Sequence, residues 1–172
     1  MIEIRPIQEH EIPQAKRVIF TVAFEIFGGA DTLEESIAKF SAQGKLKEMD
    51  DVRANYFENG GTFLVTVHDG RIIGTGAIRF LEAGVCELKR LWLLSEYHGQ
   101  GLGYRMMKEL FAIARQKGYR YMRLFTDPVY QKRAVEFYKR LGFYEIQAVG
   151  DDPDDIGMEK PLEENVGNFN RR

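Results

Sequence analysis

The sequence holds a single cysteine, Cys86, among its 172 residues, so no disulfide can form within the chain. Histidine is almost as scarce. His10, His68 and His98 are scattered without metal-ligand spacing, and no metal site is expected. Neither sign of charge is in excess, with 24 basic residues against 26 acidic ones and a formal net charge of −2. Nothing in that balance would hold the protein on a phosphate backbone or an anionic bilayer, so neither nucleic acid nor membrane is an expected partner. No run approaches the roughly 18 consecutive apolar residues of a membrane span. The opening MIEIRPIQEHEIPQ lacks the basic start, apolar middle and small-residue cleavage site of a signal peptide, and a cytoplasmic protein is expected. No internal repeat is visible.

What is present suits one core. Hydrophobic residues make up 44% of a chain of a length that comfortably fills one domain and not two. The expected domain covers residues 1–162, and residues 163–172 read as a tail with no core to join. IEIRPI alternates as a short strand. From Pro13 to Phe27 a broad apolar side, with proline near its start and Gly28-Gly29 at its end, predicts a helix. DTLEESIAKF predicts a second one, with Asp31 or Thr32 as cap. Residues 41 to 61 carry no strong period and read as irregular or weakly helical. TFLVTV and RIIGTGAIRFL flank the turn signal HDG and predict a hairpin, to which AGVCELKRLWLL adds a third strand. Leu102, Met106, Leu110 and Ala114, four apart, predict a helix ending at Lys117-Gly118. YRYMRLFTD, QKRAVEFYKRLG, FYEIQAV and IGMEKPL follow as strand, helix, strand and strand, with GDDPDD as a solvated loop. The order is β-α-α-β-β-β-α-β-α-β-β, a mixed α/β sheet with helices on both faces.

The segment ELKRLWLLSEYHGQGLGYRMM sets three glycines where a strand gives way to a helix. Bare backbone there lets successive amide hydrogens converge on an anion at the positive end of the helix dipole, which suits a phosphate or diphosphate. A P-loop requires lysine then serine or threonine after its last glycine, where this chain has Tyr104-Arg105. A dinucleotide site requires G-x-G-x-x-G. Asp127 mimics its ribose-binding acid, but the third glycine is missing and antiparallel-looking strands precede the loop. Glycines that merely shape a tight turn are the remaining reading. In the strand itself, Leu88 and Leu91 cannot share a face under strict alternation, and Lys89-Arg90 between them suggests a bulge.

Two signatures together are more specific than the loop. His98-Gly99-Gln100-Gly101-Leu102-Gly103 resembles the R/Q-x-x-G-x-G/A segment of the GNAT N-acetyltransferase superfamily. Ala134, Phe137-Tyr138 and Leu141-Gly142-Phe143 resemble the family's second signature, in the same order and separation. The resemblance implies the GNAT fold and an N-acetyltransferase that uses acetyl-CoA, gripping its diphosphate with His98, Gly99, Gln100, Gly101, Leu102, Gly103 and Tyr104. It departs at His98, where arginine or glutamine is usual, and at Gln131, where an asparagine contacting the cofactor is common. By the same resemblance, Glu87 removes the proton of the amine through water. Tyr138 hydrogen-bonds the thioester sulfur and protonates the leaving thiolate, and freed amides from Leu91 through Trp92 to Leu93 hold the pantetheine arm and polarise the acetyl carbonyl. The bland counterparts are Glu87 as an exposed strand residue paired with Lys89 or Arg90, and Tyr138 and Trp92 as core aromatics. Cys86 reads as a small buried residue and not a nucleophile, because no histidine partner is indicated.

The implied function is direct acetyl transfer to a primary amine of a small molecule or amino acid, with homodimerisation a family-level expectation. Residues 20 to 60, with Phe24, Phe27, Tyr56 and Phe57, are the expected source of acceptor specificity. The alternatives are a non-catalytic acyl-CoA sensor on the same fold and an NAD(P)-dependent oxidoreductase.

Overall fold

The first strand, β1 (Ile2–Pro6), runs along one edge of the sheet. A computed structural model describes residues 1–162, and the expected tail lies outside the described residues. Helix α1 (Ile12–Phe27) carries Pro13 in its first turn and buries Ala15, Val18, Ile19 and Val22; it stops at Gly28, whose φ of 62° no β-carbon opposes. Helix α2 (Leu33–Ala42) is capped by Thr32, whose hydroxyl accepts from the Glu35 amide at 3.2 Å. A tight 3₁₀ turn (Lys47–Asp51) and a wide π turn (Arg53–Phe57) then bury Met49, Val52 and Tyr56.

Strands β2 (Thr62–His68), β3 (Arg71–Glu82) and β4 (Val85–Leu93) form the predicted meander. The β2–β3 turn is Asp69-Gly70, with φ of 50° and 79°, the positive pair that a two-residue hairpin prefers. Helix α3 (Leu102–Gln116), strand β5 (Tyr121–Thr126), helix α4 (Lys132–Arg140) and strands β6 (Tyr144–Ile146) and β7 (Ile156–Pro161) complete the chain. The strand predicted over FYEIQAV is shorter than expected, pairing over Tyr144–Ile146.

The sheet order is β1-β2-β3-β4-β5-β7-β6, and β4 against β5 is its parallel pair. One face carries α1, α2 and the turns after them, over a core that includes Phe20, Met49, Tyr56, Phe63 and Ile73. The other carries α3 and α4 over Met107, Leu110, Met122, Tyr138 and Met158. Each fully buried large side chain in these clusters contributes about 1.5–3 kcal/mol of transfer free energy. Helix α3 lies close to β3 because Gly76 has no side chain: a β-carbon there would sit 2.8 Å from Cγ of Met106.

Candidate active site

The parallel contact between β4 and β5 is short. It runs from Val85↔Tyr121 to Glu87↔Arg123, and beyond that point the strands part while β5 continues along β7. Arg123 ties the base of the fork together, donating to Glu159 at 2.8 Å and Glu82 at 2.6 Å. Above it opens a cleft of about 570 Å³, walled by Leu88, Leu91 and Trp92 of β4, Leu124 and Thr126 of β5, and Gln131 and Tyr138 from the cap and the last turns of α4. Phe27, at the end of α1, touches Tyr130 at 5.5 Å between ring centres and lines the same cleft.

The predicted bulge is present. Thr75 pairs with Trp92 but Ala77 with Lys89, so β4 carries one residue more than β3 across this interval. Arg90 adopts φ 55°, a left-handed conformation that costs a non-glycine residue about 1–2 kcal/mol. Two contacts hold it there: Arg90 Nε donates to Glu48 at 2.8 Å, and the Arg90 carbonyl accepts from the Thr75 hydroxyl at 2.6 Å. The bulge lets Leu88 and Leu91 both pack into the cluster beneath α3 and α4. Because β5 has departed, the β4 edge from Leu88 to Leu93 faces the cleft without a neighbouring strand on that side.

Glu87 sits at the fork and is 8% exposed. Its partner is Arg79, directly across in register, with Arg79 Nε donating to Oε1 at 3.0 Å. This corrects the bland expectation of an exposed carboxylate paired with Lys89 or Arg90. Arg90 belongs to Glu48, and Lys89 has no ion pair or hydrogen bond among the described residues. Tyr138 is buried to 7%, against Phe143 at 5.6 Å between ring centres, and burial pushes its phenol pKa above the ordinary value. Its ring is thus core, as periodicity suggests, yet it also lines the cleft and its hydroxyl has no hydrogen-bond partner among the described residues.

The glycine loop joins the end of β4 to the start of α3. Gly99 and Gly101 hold φ of 79° and 76° with open space where a β-carbon would stand, and Gly101 is the residue that begins the helix. Among the described residues the amides from Gly99 to Tyr104 make no hydrogen bond, whereas His98 and Arg105 on either side do. That run of unpaired donors at a helix N-terminus fits a diphosphate. Gly103 faces Phe137 of α4, which would stand 3.5 Å from a notional β-carbon, an ordinary contact distance. The exposed His98 side chain reaches back to the end of β4 and donates from Nε2 to the Leu93 carbonyl at 3.0 Å. Gln131 accepts from the Thr126 hydroxyl at 2.7 Å. Asp127, the mimic of a ribose-binding acid, spends an oxygen on the amides of Val129 and Tyr130 at 2.8 and 3.1 Å.

Sequence reasoning missed several groups on the cleft wall. Arg79 and Arg90 come from strands read for their apolar pattern, and Lys45, Lys47 and Glu48 from the stretch without a period. The loop expected to be merely solvated sends Asp151, Asp152 and Asp155 to the cleft rim. Burial raises the Asp155 carboxyl pKa, reinforced by the like charges of Asp152 and Asp127. Among the described residues no helix is long and apolar enough to cross a membrane, and no group of three or more His, Cys, Asp or Glu side chains could hold a metal.

The parting of β4 from β5, the bulge in β4 and the unpaired amides where β4 leads into α3 are matched by a family comparison. The chain belongs to the acetyltransferase (GNAT) family, whose model matches residues 30–143. It is 29% identical over 101 residues to the uncharacterised N-acetyltransferase YjgM of Escherichia coli K12; the match covers 57% of this chain and 60% of that protein's length. It is 34% identical over 104 residues to an IAA acetyltransferase of Azospirillum brasilense, covering 58% of this chain and 67% of the relative. Its fold is that of a PaiA N-acetyltransferase from Thermoplasma acidophilum solved in complex with coenzyme A, with a TM-score of 0.73, 23% identity, and coverage of 94% of this chain and 99% of that one.

Proposed function

We propose that residues 1–162 form one acetyl-CoA-dependent N-acetyltransferase domain that transfers acetyl directly to the primary amine of a small molecule or amino acid, with Glu87 as general base and Tyr138 as general acid. The observation that carries this reading is that Glu87 and Tyr138 line one cleft together with Leu91 and Trp92 of β4, the strand that leads into the unpaired amides from Gly99 to Tyr104 at the start of α3.

Acetyl-CoA would supply an acetyl group activated as a thioester. The amides at the start of α3 would hold its diphosphate, reinforced by the helix dipole and without need of the His98 side chain. The open edge of β4 from Leu91 to Leu93 would hold the pantetheine arm by strand-like hydrogen bonds, and an amide there would stabilise charge growing on the carbonyl oxygen. Glu87 would take the proton of the incoming ammonium through water; Arg79 fixes one of its oxygens and keeps the carboxylate oriented. Its burial shields it from bulk solvent. Tyr138, kept protonated by burial, would donate its hydrogen to the departing sulfur. The carbon–nitrogen bond forms as the carbon–sulfur bond breaks, and no side chain carries the acetyl group. Cys86 is unsuited to that role, because burial pushes its thiol pKa up to about 12.

The test combines binding and turnover. Acetyl-CoA at roughly a hundred times its dissociation constant should add about 2.7 kcal/mol of stability, read as a rise in Tm, and NAD should add none. Free thiol should then appear when amines are supplied. A rise in Tm without thiol release from any amine would favour the non-catalytic sensor, and no rise would remove acetyl-CoA as the ligand.

A further inference from the structure

Lys89 is a charge of the cleft that acetyl transfer does not use. It pairs in register with Ala77, on the sheet face of the Arg79–Glu87 pair and opposite Leu88, which packs beneath α3 and α4. Its side chain is half-buried on the cleft wall and has no ion pair or hydrogen bond among the described residues. The carboxylates near it are already taken, Glu87 by Arg79 and Glu48 by Arg90. On this side of the cleft five cations, Lys45, Lys47, Arg79, Lys89 and Arg90, stand against two carboxylates, Glu48 and Glu87, and the other lining carboxylates come from the loops after β5 and β6. Burial accordingly lowers the pKa of the Lys89 ammonium. A half-buried cation without a counter-ion is unfavourable unless a ligand supplies the anion.

The rest of the cleft gives that anion an orientation. Lys45 and Lys47 line it as well, beside Glu48, whereas Asp127, Asp151, Asp152 and Asp155 supply carboxylates from the loops that follow β5 and β6. A cleft with cations from one set of elements and carboxylates from another favours a ligand that carries both signs. Lys89 follows Glu87 by two residues on one strand face, a separation of about 7 Å between backbone positions. Glu87 reaches the nitrogen through one water and Lys89 would hold an anion by a hydrogen bond of about 3 Å, so one small molecule with the two groups a few bonds apart can meet both.

We infer that the acceptor is an amino acid, or another amine with a carboxylate within a few bonds of the reacting nitrogen, and that Lys89 holds that carboxylate. The inference rests on the acetyl-transfer reading above and names its acceptor class. Phosphate-bearing donors are gripped elsewhere, at the start of α3.

The test compares initial rates of thiol release from acetyl-CoA with glycine, alanine, phenylalanine, glutamate and β-alanine against the carboxamide of each. A carboxamide leaves the amine easier to deprotonate, so it would react faster if the cleft ignored the carboxylate. The expected result is at least one free acid whose kcat/KM exceeds that of its carboxamide by about tenfold or more. Lys89→Met should raise KM for that acid by a similar factor with a smaller change in kcat, and Lys89→Arg should restore most of the loss. Carboxamides equal to or ahead of the acids would overturn the inference while leaving the transferase intact. So would an acid-to-carboxamide ratio that Lys89→Met does not change. Thiol release from no member would overturn it too. In that case the Tm response to acetyl-CoA shows whether the acetyl-CoA site falls with it.

Discussion

At the residue scale, the two proposed proton carriers are buried for different reasons, and their variants should separate chemistry from packing. Glu87 is covered yet tied to Arg79, so Glu87→Gln retains a carbonyl oxygen for that arginine while losing the basic group. Turnover should fall by about 10²–10⁴-fold, with the Tm rise caused by acetyl-CoA preserved; unchanged kcat would remove Glu87 as the base. Tyr138→Phe keeps the ring that packs on Phe143 and removes a hydroxyl that has no partner among the described residues. Its kcat should drop about 10²-fold while unfolding free energy changes by less than about 1 kcal/mol. A variant as unstable as a core truncation but still active would make the tyrosine structural. Cys86 gives a simpler check. It is fully buried with its thiol pKa raised to about 12, so a disulfide reagent at pH 8 should modify the native protein negligibly and react fully once it is denatured.

At the element scale, the glycine loop and the bulge do the positioning. Gly101→Ala puts a β-carbon on a residue with φ 76°, at an estimated strain of about 1–2 kcal/mol, although no atom crowds the new methyl group. If the loop relaxes, the amides it aims will disperse. The expected outcome is a lower Tm together with a weaker acetyl-CoA response in titration; a lower Tm with undiminished affinity would mean the loop only turns the chain. Most of this architecture was legible in the sequence because its cues are local. Gly28, Gly118 and Gly142 stop their helices, and Leu88 with Leu91 announces the bulge that Arg90 makes with its positive φ. The stretch after α2 was not legible. Met49, Val52 and Tyr56 do fall three and four apart, but the backbone passes from a tight turn to a wide one between them, so no single period describes it. The Arg79–Glu87 pair was hidden for another reason: it depends on cross-strand register past the Gly84 turn, and the pattern of one strand does not fix its neighbour's alignment.

At the scale of the whole molecule, a near-neutral total conceals an uneven distribution, and that distribution should set stability against function. Asp151, Asp152, Asp154 and Asp155 lie within five residues of one another between β6 and β7, facing Asp127, and their mutual repulsion is what a balanced composition could not reveal. Burial and these neighbours raise the folded-state pKa of Asp155, so the native state holds its proton more tightly than the unfolded chain does. The sign follows directly. Asp155 is a net burden on folding wherever it is ionised, the burden is fully present above its raised folded pKa, and it disappears as pH falls below the ordinary carboxylate range. Asp155→Asn should therefore raise Tm in neutral buffer and lose that advantage in acid. Moderate salt should shrink the difference by screening the repulsion. If these carboxylates draw the ammonium end of a zwitterionic acceptor into the cleft, the same variant should raise KM for the acceptor as it gains stability, and the KM effect should also weaken with salt. A Tm gain with an unaltered KM would mean that the acidic loop is strained for no benefit to substrate capture, and that Lys89 and Glu87 orient the acceptor without it.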